Sequence, residues 1–145
     1  MNIYVSGPFF NDIERDRMQN LKKFLKTALR EHSYYFPIDL IIPNANYLSN
    51  KVWSKIVFDE DVEKLNAADL MIVVYDGHYS DSGTAFEIGY ALAKGIPIWV
   101  LIVDKKCNQS LMVTNASRFI WDFDTFIECG PDPGLILNLG ELNQT

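Results

Sequence analysis

The chain has 145 residues, enough for one domain spanning residues 1–145, and 48% of its residues are hydrophobic against 22% charged. A formal net charge of −6 argues against a nucleic acid as the partner, because nucleic-acid binders present basic patches. No basic segment leads into a long apolar run at the start, and runs such as "LMIVVY" are far shorter than the roughly 20 residues of a membrane helix, so we expect a cytoplasmic protein with no membrane partner.

The first half of the chain alternates between extended and helical patterns. "NIYVSG" predicts a buried strand, since it is short, apolar and followed by Gly-Pro. A predicted helix follows, capped by Asn11 or Asp12 and running to about Arg30, with an apolar stripe along one side. "YYFPIDLIIP" predicts a second extended segment, which Pro37 interrupts and Pro43 ends.

The second half of the chain continues this alternation. Ser49 or Asn50 precedes a predicted helix over about residues 52–67, and "DLMIVVYD" predicts a strand covered on both faces because it is apolar throughout. A helix closed by Gly95, the strand "PIWVLIVD", a short helix near residues 111–117 and the strand "RFIWDF" complete the series. The order predicts an α/β fold: a doubly wound, mostly parallel five-stranded sheet flanked by helices, flavodoxin-like or Rossmann-like.

The cysteines and histidines indicate neither a disulfide nor a metal site. Cys107 and Cys129 form no spaced motif, so we expect free thiols in a reducing compartment. His32 and His78 have no companion ligands at the spacing of a metal site, and we therefore expect no metal.

The loops after the first and third strands hold the candidate binding residues, because ligands of such sheets bind beyond the carboxyl ends of the strands. These candidates are Ser6, Gly7, Phe9 and Phe10 in the first loop, and Asp76 and Gly83 at the two ends of the second. Neither loop has the glycine-rich pattern that cradles a phosphate. Pro8 lacks a backbone N–H, and Phe9-Phe10 offers an apolar wall, so the sequence favours a neutral aromatic ligand.

Two aspartates are candidates for acid–base chemistry, and each has an ordinary structural alternative. Asp61 interrupts the apolar stripe of its helix, so it either points into a site or lies exposed beside Asp59 and Glu60 on a rotated helix. Asp81 lies in a Gly/Ser-rich loop, where it is either a site residue or a helix cap. The spacing alone leaves both alternatives open for both residues.

Glu87 lies in a helix of small and apolar residues, where packing needs no carboxylate. The segment "TAFE", residues 84–87, matches a capping box, in which the glutamate only bonds back to the start of the helix. If Asp81 or Ser82 caps the helix instead, Glu87 falls past the first turn, on a face of mostly small residues that a ligand can approach closely. The residues alone do not choose between these interpretations.

A resemblance to a known family bears on that choice. The segment "DEDVEKLNAADLMIVVYDGHYSDSGTAFEIGYALAKGIPIWVL" resembles the signature region of nucleoside 2-deoxyribosyltransferases, which exchange the base of a 2′-deoxynucleoside. "IYVSGPFF" and "SLMVTNAS" are similar to that family as well, so the resemblance covers most of the chain up to about Ser117. The block from Asp76 to Ala91 is far more specific than a lone glycine motif.

The resemblance implies roles for five residues. Glu87 falls at the family's nucleophile, and Asp61 and Asp81 fall at the aspartates that contact the base and manage its proton. Tyr4 falls at the tyrosine whose hydroxyl holds the nucleophile near the sugar, although a strand tyrosine ordinarily packs in the core. Asn115 falls near a polar residue that a neighbouring subunit contributes to the sugar hydroxyls, although it also suits a helix end.

Two departures from the family pattern leave the base preference open. Many members carry a glutamine for the base edge where this chain has Tyr47, so Asn46 or Tyr47 is expected to contact the base instead. The last residues, "LNLGELNQT", also differ from the family's usual ending, which often reaches the site.

The function implied by the resemblance is a retaining, ping-pong transfer of 2-deoxyribose from a deoxynucleoside to a free base, through an ester on Glu87 and without a cofactor. It also implies at least a homodimer, and possibly a hexamer built from dimers. One alternative is a nucleoside 5′-monophosphate N-glycosidase, but Arg15 and Arg17 come too late in the chain for a phosphate-binding first loop. The other is an inactive nucleotide-sensing module with the same fold.

Overall fold

The sheet of the protein contains five parallel strands. A computed structural model describes residues 1–77 and 81–138, so His78 and the end of the chain from residue 139 lie outside the described residues. The strands are β1 (Asn2–Ser6), β2 (Ser33–Tyr35), β3 (Leu70–Tyr75), β4 (Ile98–Ile102) and β5 (Phe119–Asp122). They pair in the order β2-β1-β3-β4-β5, and every pair is parallel. The predicted α/β class and doubly wound sheet are confirmed, and the described sheet is wholly rather than mostly parallel.

Helices cover both faces of this sheet. They are α1 (Asp12–Ala28), α2 (Asn50–Asn66), α3 (Ser82–Ala93), α4 (Leu111–Ala116) and α5 (Phe123–Cys129), with short 3₁₀ turns at Pro37–Asp39, Ala45–Tyr47 and Pro133–Leu135. The predicted caps are confirmed for the first two helices: Asn11 accepts a hydrogen bond from the Glu14 N–H, and Ser49 accepts one from the Val52 N–H.

Alternation along the strands divides the core between the two faces. On one face, Ile3 and Val5 of β1 pack with the buried apolar residues of α1 and α5. On the other face, Tyr4 packs with apolar residues of α2, α3 and α4. Because successive side chains of a strand point to opposite faces, Tyr4 and Ser6 of β1 lie on the α3 side of the sheet.

The second extended segment is shorter than predicted. Its strand begins at Ser33 and ends at Tyr35, and the chain then enters a 3₁₀ turn with Pro37 at its start, so the prediction of an extended segment to Pro43 is wrong. Proline cannot donate to the hydrogen-bond ladder, and its fixed φ suits the first position of a helical turn. Tyr35 is therefore the last residue of the edge strand β2.

The winding of the sheet reverses between β1 and β3. The chain moves from β1 to one neighbour, β2, and later to the other neighbour, β3. The loops that follow β1 and β3 therefore leave the same end of the sheet side by side, at the point where sheets of this kind bind ligands.

Candidate active site

The carboxylate of Glu87 receives two hydrogen bonds from β1. The Tyr4 hydroxyl donates to Oε1 of Glu87 over 3.0 Å, and the Ser6 hydroxyl donates to Oε2. Tyr4 and Ser6 are two positions apart on one strand, so both side chains reach the same helix, α3. Tyr4 and Ser6 are both buried, and one rigid strand in the sheet interior thus fixes both oxygens of the acid.

Asp81 sets where Glu87 falls in its helix. Asp81 is the N-cap of α3 and accepts hydrogen bonds from the N–H groups of Gly83 and Thr84, and the Thr84 hydroxyl also donates to it. The helix begins at Ser82, which leaves Glu87 past the first turn. The capping-box interpretation, with Glu87 bonded back to Thr84, is therefore wrong, because its oxygens are held by β1 instead.

Asp61 points inward from α2. Its Oδ1 accepts a hydrogen bond from the Tyr35 hydroxyl over 2.8 Å, and its side chain lines a cavity that Glu87 also lines. Its neighbour Asp59 is exposed and pairs with Lys55 along the same helix. Of the two interpretations of the sequence, the structure therefore supports the inward one for Asp61.

The cavity between α2 and α3 has a volume of about 250 Å³ and brings the acids together. Asp61, Gly83 and Glu87 line it, together with the mainly apolar side chains of Trp53, Ser54, Val57, Phe58, Val62, Leu65 and Phe86. Apolar walls with a few convergent polar groups are typical of small-molecule sites. A larger groove between α1 and α5, of about 510 Å³, is lined by none of the predicted site residues.

Burial and neighbouring acids raise the pKa of Glu87 to about 7. Burial is the largest cause, the hydrogen bonds from Ser6 and Tyr4 oppose it, and the charges of Asp61 and Asp81 add to it. Burial likewise raises the pKa of Asp61, against the hydrogen bond from Tyr35. The site therefore holds acids that change protonation closer to neutral pH than an exposed carboxyl would.

Tyr4 and Tyr35 remain hydrogen-bond donors throughout the ordinary pH range. Burial and the nearby carboxylates raise the pKa of each phenol well above its usual value of 10.0. A protonated hydroxyl can donate to a carboxylate, so each tyrosine stabilises the ionised form of its partner acid. No local pattern in the sequence indicates the role of Tyr35, which is the last residue of a short edge strand.

The first loop packs closely against β3, and the backbone N–H of Phe10 in this loop is already hydrogen-bonded. Gly7 has φ +152°, and a Cβ added there would lie 2.9 Å from the Cβ of Val74. The Phe10 N–H donates to Oε2 of the buried Glu14 over 2.7 Å. The Phe9 and Phe10 rings stack 6.0 Å apart, but neither residue lines the cavity beside Glu87.

Asp76 follows β3 and lies near an arginine that the sequence analysis did not place in the site. Its Oδ2 is 3.7 Å from Nη1 of Arg17, and the two side chains are only 12% and 17% exposed. This pair connects the start of the second loop to α1, so the structure assigns Asp76 an ion-pair contact and leaves its predicted role in ligand binding as a prediction.

Three predicted binding residues lie away from the cavity. Asn46 and Tyr47 belong to an exposed 3₁₀ turn, and Tyr47 is 90% exposed. Asn115 is exposed on α4, where its Nδ2 donates to the Leu111 carbonyl over 2.8 Å. None of them lines the cavity, and their contacts with a base or with a second subunit's site stay predictions.

The described residues contain neither a cluster of metal-ligating side chains nor a helix able to span a bilayer. Within residues 1–77 and 81–138, no group of three or more His, Cys, Asp or Glu side chains could hold a metal ion. Over the same ranges, no helix has both the length and the apolar character that crossing a bilayer demands. Cys107 and Cys129 are both free.

Comparisons with known proteins converge on one family. A family model described as nucleoside 2-deoxyribosyltransferase matches residues 3–139. A nucleoside deoxyribosyltransferase of Lactobacillus leichmannii is 29% identical over 118 residues, covering 75% of this chain and 74% of that protein. A protein of Thermofilum pendens (strain DSM 2475 / Hrk 5), named as a candidate 2′-deoxynucleoside 5′-phosphate N-hydrolase, is 27% identical over 109 residues, covering 75% of this chain and 73% of that protein.

Solved structures show the same fold. The 2-deoxyribosyltransferase of Bacillus psychrosaccharolyticus aligns with a TM-score of 0.74 at 22% identity, over 98% of this chain and 96% of that chain. A conserved protein of Enterococcus faecalis V583 aligns with a TM-score of 0.60 at 26% identity, over 98% of this chain and 84% of that chain.

Proposed function

The chain belongs to the nucleoside 2-deoxyribosyltransferase family, and from this premise we propose that it transfers the 2-deoxyribosyl group of a 2′-deoxynucleoside to another purine or pyrimidine base. The observation that carries the proposal is the carboxylate of Glu87, held by Tyr4 and Ser6 in a mainly apolar cavity that Asp61 also lines. A fixed carboxylate can attack a sugar carbon, and a second acid nearby can protonate the leaving base.

In the proposed first half-reaction, a carboxylate oxygen of Glu87 attacks C1′ of the sugar while the C1′–N bond breaks. The electron pair of that bond stays on the base nitrogen, and Asp61 donates a proton so that the base leaves neutral. The sugar remains as an ester on Glu87. Positive charge that builds up at C1′ in the transition state is stabilised by the negative charge of the attacking carboxylate.

In the second half-reaction, a nitrogen of the incoming base attacks C1′ of the ester from the side that the first base left. The C1′–O bond breaks, its electrons return to Glu87, and Asp61 takes the proton that the new base loses. Two inversions give net retention at C1′. Every step uses a side chain that the protein carries, so we expect no metal or redox cofactor.

Asp61 is better placed than Asp81 to handle this proton. Asp81 is the helix cap, and its two oxygens already accept the Gly83 and Thr84 N–H groups and the Thr84 hydroxyl. Among the described residues, Tyr35 alone donates a hydrogen bond to Asp61, and burial raises the pKa of Asp61, which favours the protonated acid. We therefore assign the proton to Asp61 and assign Asp81 to holding α3 and adding negative charge beside Glu87.

A nucleoside 5′-monophosphate N-glycosidase is the second candidate, which the name of the T. pendens relative favours. The first loop argues against it. Pro8 has no N–H, and the Phe10 N–H already donates to the Glu14 carboxylate, which would repel a phosphate placed there. Arg15 pairs with Asp12 over 2.6 Å, so its nearest anion is a carboxylate of its own helix.

The assembly and cellular role proposed with this activity are a homodimer or larger oligomer and nucleoside salvage in the cytoplasm. The support for an oligomer is the exposed apolar rim of the cavity, where Phe58 and Phe86 are 50% and 51% exposed with ring centroids 5.9 Å apart. Large apolar side chains grouped at a surface commonly meet another protein surface. A hexamer built from dimers and the use of Asn115 by a neighbouring subunit belong to the same proposal.

A base-exchange assay tests the proposed function. The protein is incubated with deoxyinosine and free adenine, and separately with deoxyinosine 5′-monophosphate, and the products are separated by chromatography. Formation of deoxyadenosine supports transfer, whereas base release from the monophosphate alone selects the hydrolase. No reaction with either substrate selects the inactive module. Glu87→Ala should abolish exchange, and undiminished exchange by that variant would remove Glu87 from the role of nucleophile.

A further inference from the structure

Two tyrosines stand side by side in the sheet, and each donates to a different acid of the cavity. Tyr4 of β1 and Tyr35 of β2 are register partners, and their ring centroids are 5.4 Å apart. The Tyr4 hydroxyl donates to Glu87 over 3.0 Å, and the Tyr35 hydroxyl donates to Asp61 over 2.8 Å. The acids come from two different helices, α3 and α2, and neighbouring strands of one sheet thus fix both carboxylates relative to each other.

We propose that Tyr35 is a positioning residue of the base-exchange reaction: its hydroxyl holds Oδ1 of Asp61 so that the other carboxylate oxygen, Oδ2, is presented to the base. This inference rests on the proposed function. In the described part of the chain, Oδ2 accepts no hydrogen bond, while Oδ1 is occupied by Tyr35. A carboxylate held by one oxygen and open at the other can exchange a proton with a ligand without losing its orientation.

Several charged groups lie near Asp61, but among the described residues only Tyr35 holds its carboxylate by a hydrogen bond. The charged groups near it are Glu60 and Lys64 on its own helix and Glu87 across the cavity, with the Tyr4 phenol beyond Tyr35. Glu60 pairs with Lys64 over 3.7 Å, and Lys64 lies 5.9 Å from the centre of the Tyr35 ring. None of these groups has a hydrogen bond to Asp61, whereas the Tyr35 hydroxyl does.

Tyr35 also influences the protonation of Asp61. Burial raises the pKa of Asp61, and the hydrogen bond from Tyr35 lowers it because a donor stabilises the ionised form. Loss of the hydroxyl leaves the burial effect unopposed, so the pKa of Asp61 should rise further. In the proposed reaction, Asp61 gives up a proton in the first half-reaction and takes one back in the second. Between these steps Asp61 is ionised, and the Tyr35 hydroxyl holds this ionised carboxylate in place.

The test compares Tyr35→Phe with Tyr34→Phe. Both variants keep an aromatic ring on β2 and delete one hydroxyl, but the Tyr34 hydroxyl donates to the Leu29 carbonyl over 2.7 Å, outside the cavity. For each protein, kcat/KM of exchange between deoxyinosine and adenine is measured from pH 5 to pH 9. A carboxyl NMR titration of Asp61 in the free protein gives a readout that does not depend on turnover.

The expected result for Tyr35→Phe is a loss of about tenfold in kcat/KM, the size expected when a hydrogen bond to a charged group is removed. The Asp61 titration should move to higher pH, and the limb of the pH profile that follows the protonation of Asp61 should move with it. Tyr34→Phe should keep the wild-type profile and titration.

Three results would overturn the inference. They are a wild-type rate and profile for Tyr35→Phe, an equal change in Tyr34→Phe, or a shifted Asp61 titration with an unshifted kinetic profile. Absence of exchange by the wild-type protein is a different result, because it overturns the proposed function itself and with it the role of Tyr35 in that reaction.

Discussion

At the scale of single residues, Glu87 is an acid in an apolar surrounding with two hydroxyl donors on its oxygens. Burial disfavours its charged form more strongly than Tyr4 and Ser6 favour it, so its pKa rises from 4.5 to about 7. The ionised form of Glu87 is therefore less stable in the cavity than an ionised carboxyl group in water. The free energy that burial costs the charged form is therefore a cost to the stability of the fold.

Replacing Glu87 by glutamine should stabilise the protein at alkaline pH. Between pH 4.5 and about 7, the folded protein keeps a proton on Glu87 that the unfolded chain has lost, so stability falls as the pH rises through this window. Glu87→Gln has no such titration, and it should be more stable than the wild type at pH 8 by on the order of 3 kcal/mol. Urea unfolding at pH 8 and at pH 4.5 measures the difference, which should nearly vanish at the lower pH.

Asp59→Asn provides the control for this prediction. Asp59 is exposed on α2 and pairs with Lys55 at the surface, so the same carboxylate-to-amide change there should alter the free energy of unfolding by less than about 1 kcal/mol. A Glu87→Gln variant whose advantage over the wild type is the same at both pH values would contradict the assigned pKa.

The carboxylates of the candidate site have a signal in the sequence, and the resemblance points to Tyr4 beside Glu87, but nothing in the sequence indicates what holds Asp61. Glu87 stood out because it lies in an apolar helix, and Asp61 because it interrupts an apolar stripe. Tyr35 could not be found in this way, since its contact with Asp61 spans 26 positions and depends on where β2 ends. The Arg17–Asp76 contact likewise joins α1 to the loop after β3 and has no local sequence signal.

At the scale of secondary-structure elements, the accuracy of the predictions followed the strength of each local pattern. The strands β1, β3 and β4 are continuous apolar runs with clear ends, and they lie where the sequence predicts them. The predicted second extended segment is longer than the strand β2, because the apolar run continues past Pro37 although the backbone turns there. The short helix α5 was missed, since seven residues directly after a strand give too little periodicity to detect.

The cap of α3 allows the structural and chemical roles of Asp81 to be separated. Asp81→Asn keeps a side-chain oxygen for the Gly83 and Thr84 N–H groups, so it should retain most of the stability of the fold. Asp81→Ala removes the cap and should cost about 1 kcal/mol in the free energy of unfolding. Asp61→Asn loses the proposed proton donor, whereas Asp81→Asn keeps the helix cap and loses only a charge. The exchange rate should therefore fall less in Asp81→Asn than in Asp61→Asn.

Chemical denaturation and the base-exchange assay, applied to the three variants, check this assignment. A larger loss of exchange in Asp81→Asn than in Asp61→Asn, with the stability of Asp81→Asn unchanged, would move the proton-handling role from Asp61 to Asp81.

At the scale of the whole molecule, three exposed aromatic side chains lie around the cavity. Trp53, Phe58 and Phe86 line it and are 44%, 50% and 51% exposed, although such large aromatic residues are usually buried. The cavity therefore opens at an apolar surface of the single chain, which a second copy could cover and so complete the pocket.

The protein should accordingly be an oligomer in solution. Sedimentation velocity at micromolar concentration is expected to give a mass of at least two chains of 16.6 kDa each. The Phe86→Glu variant places a charge on this apolar surface and should shift the population toward the monomer. A wild-type protein that sediments as a monomer at every concentration would exclude a site shared between subunits.

Mass spectrometry can detect the proposed sugar ester on Glu87, the intermediate on which the transfer mechanism depends. The protein is mixed with a deoxynucleoside in the absence of an acceptor base, quenched in acid, digested and mapped, with the released base measured in parallel. We expect a burst of free base matched by one deoxyribosyl group on the peptide that contains Glu87. Base release without any adduct, an adduct on a peptide that lacks Glu87, or no release at all would contradict it.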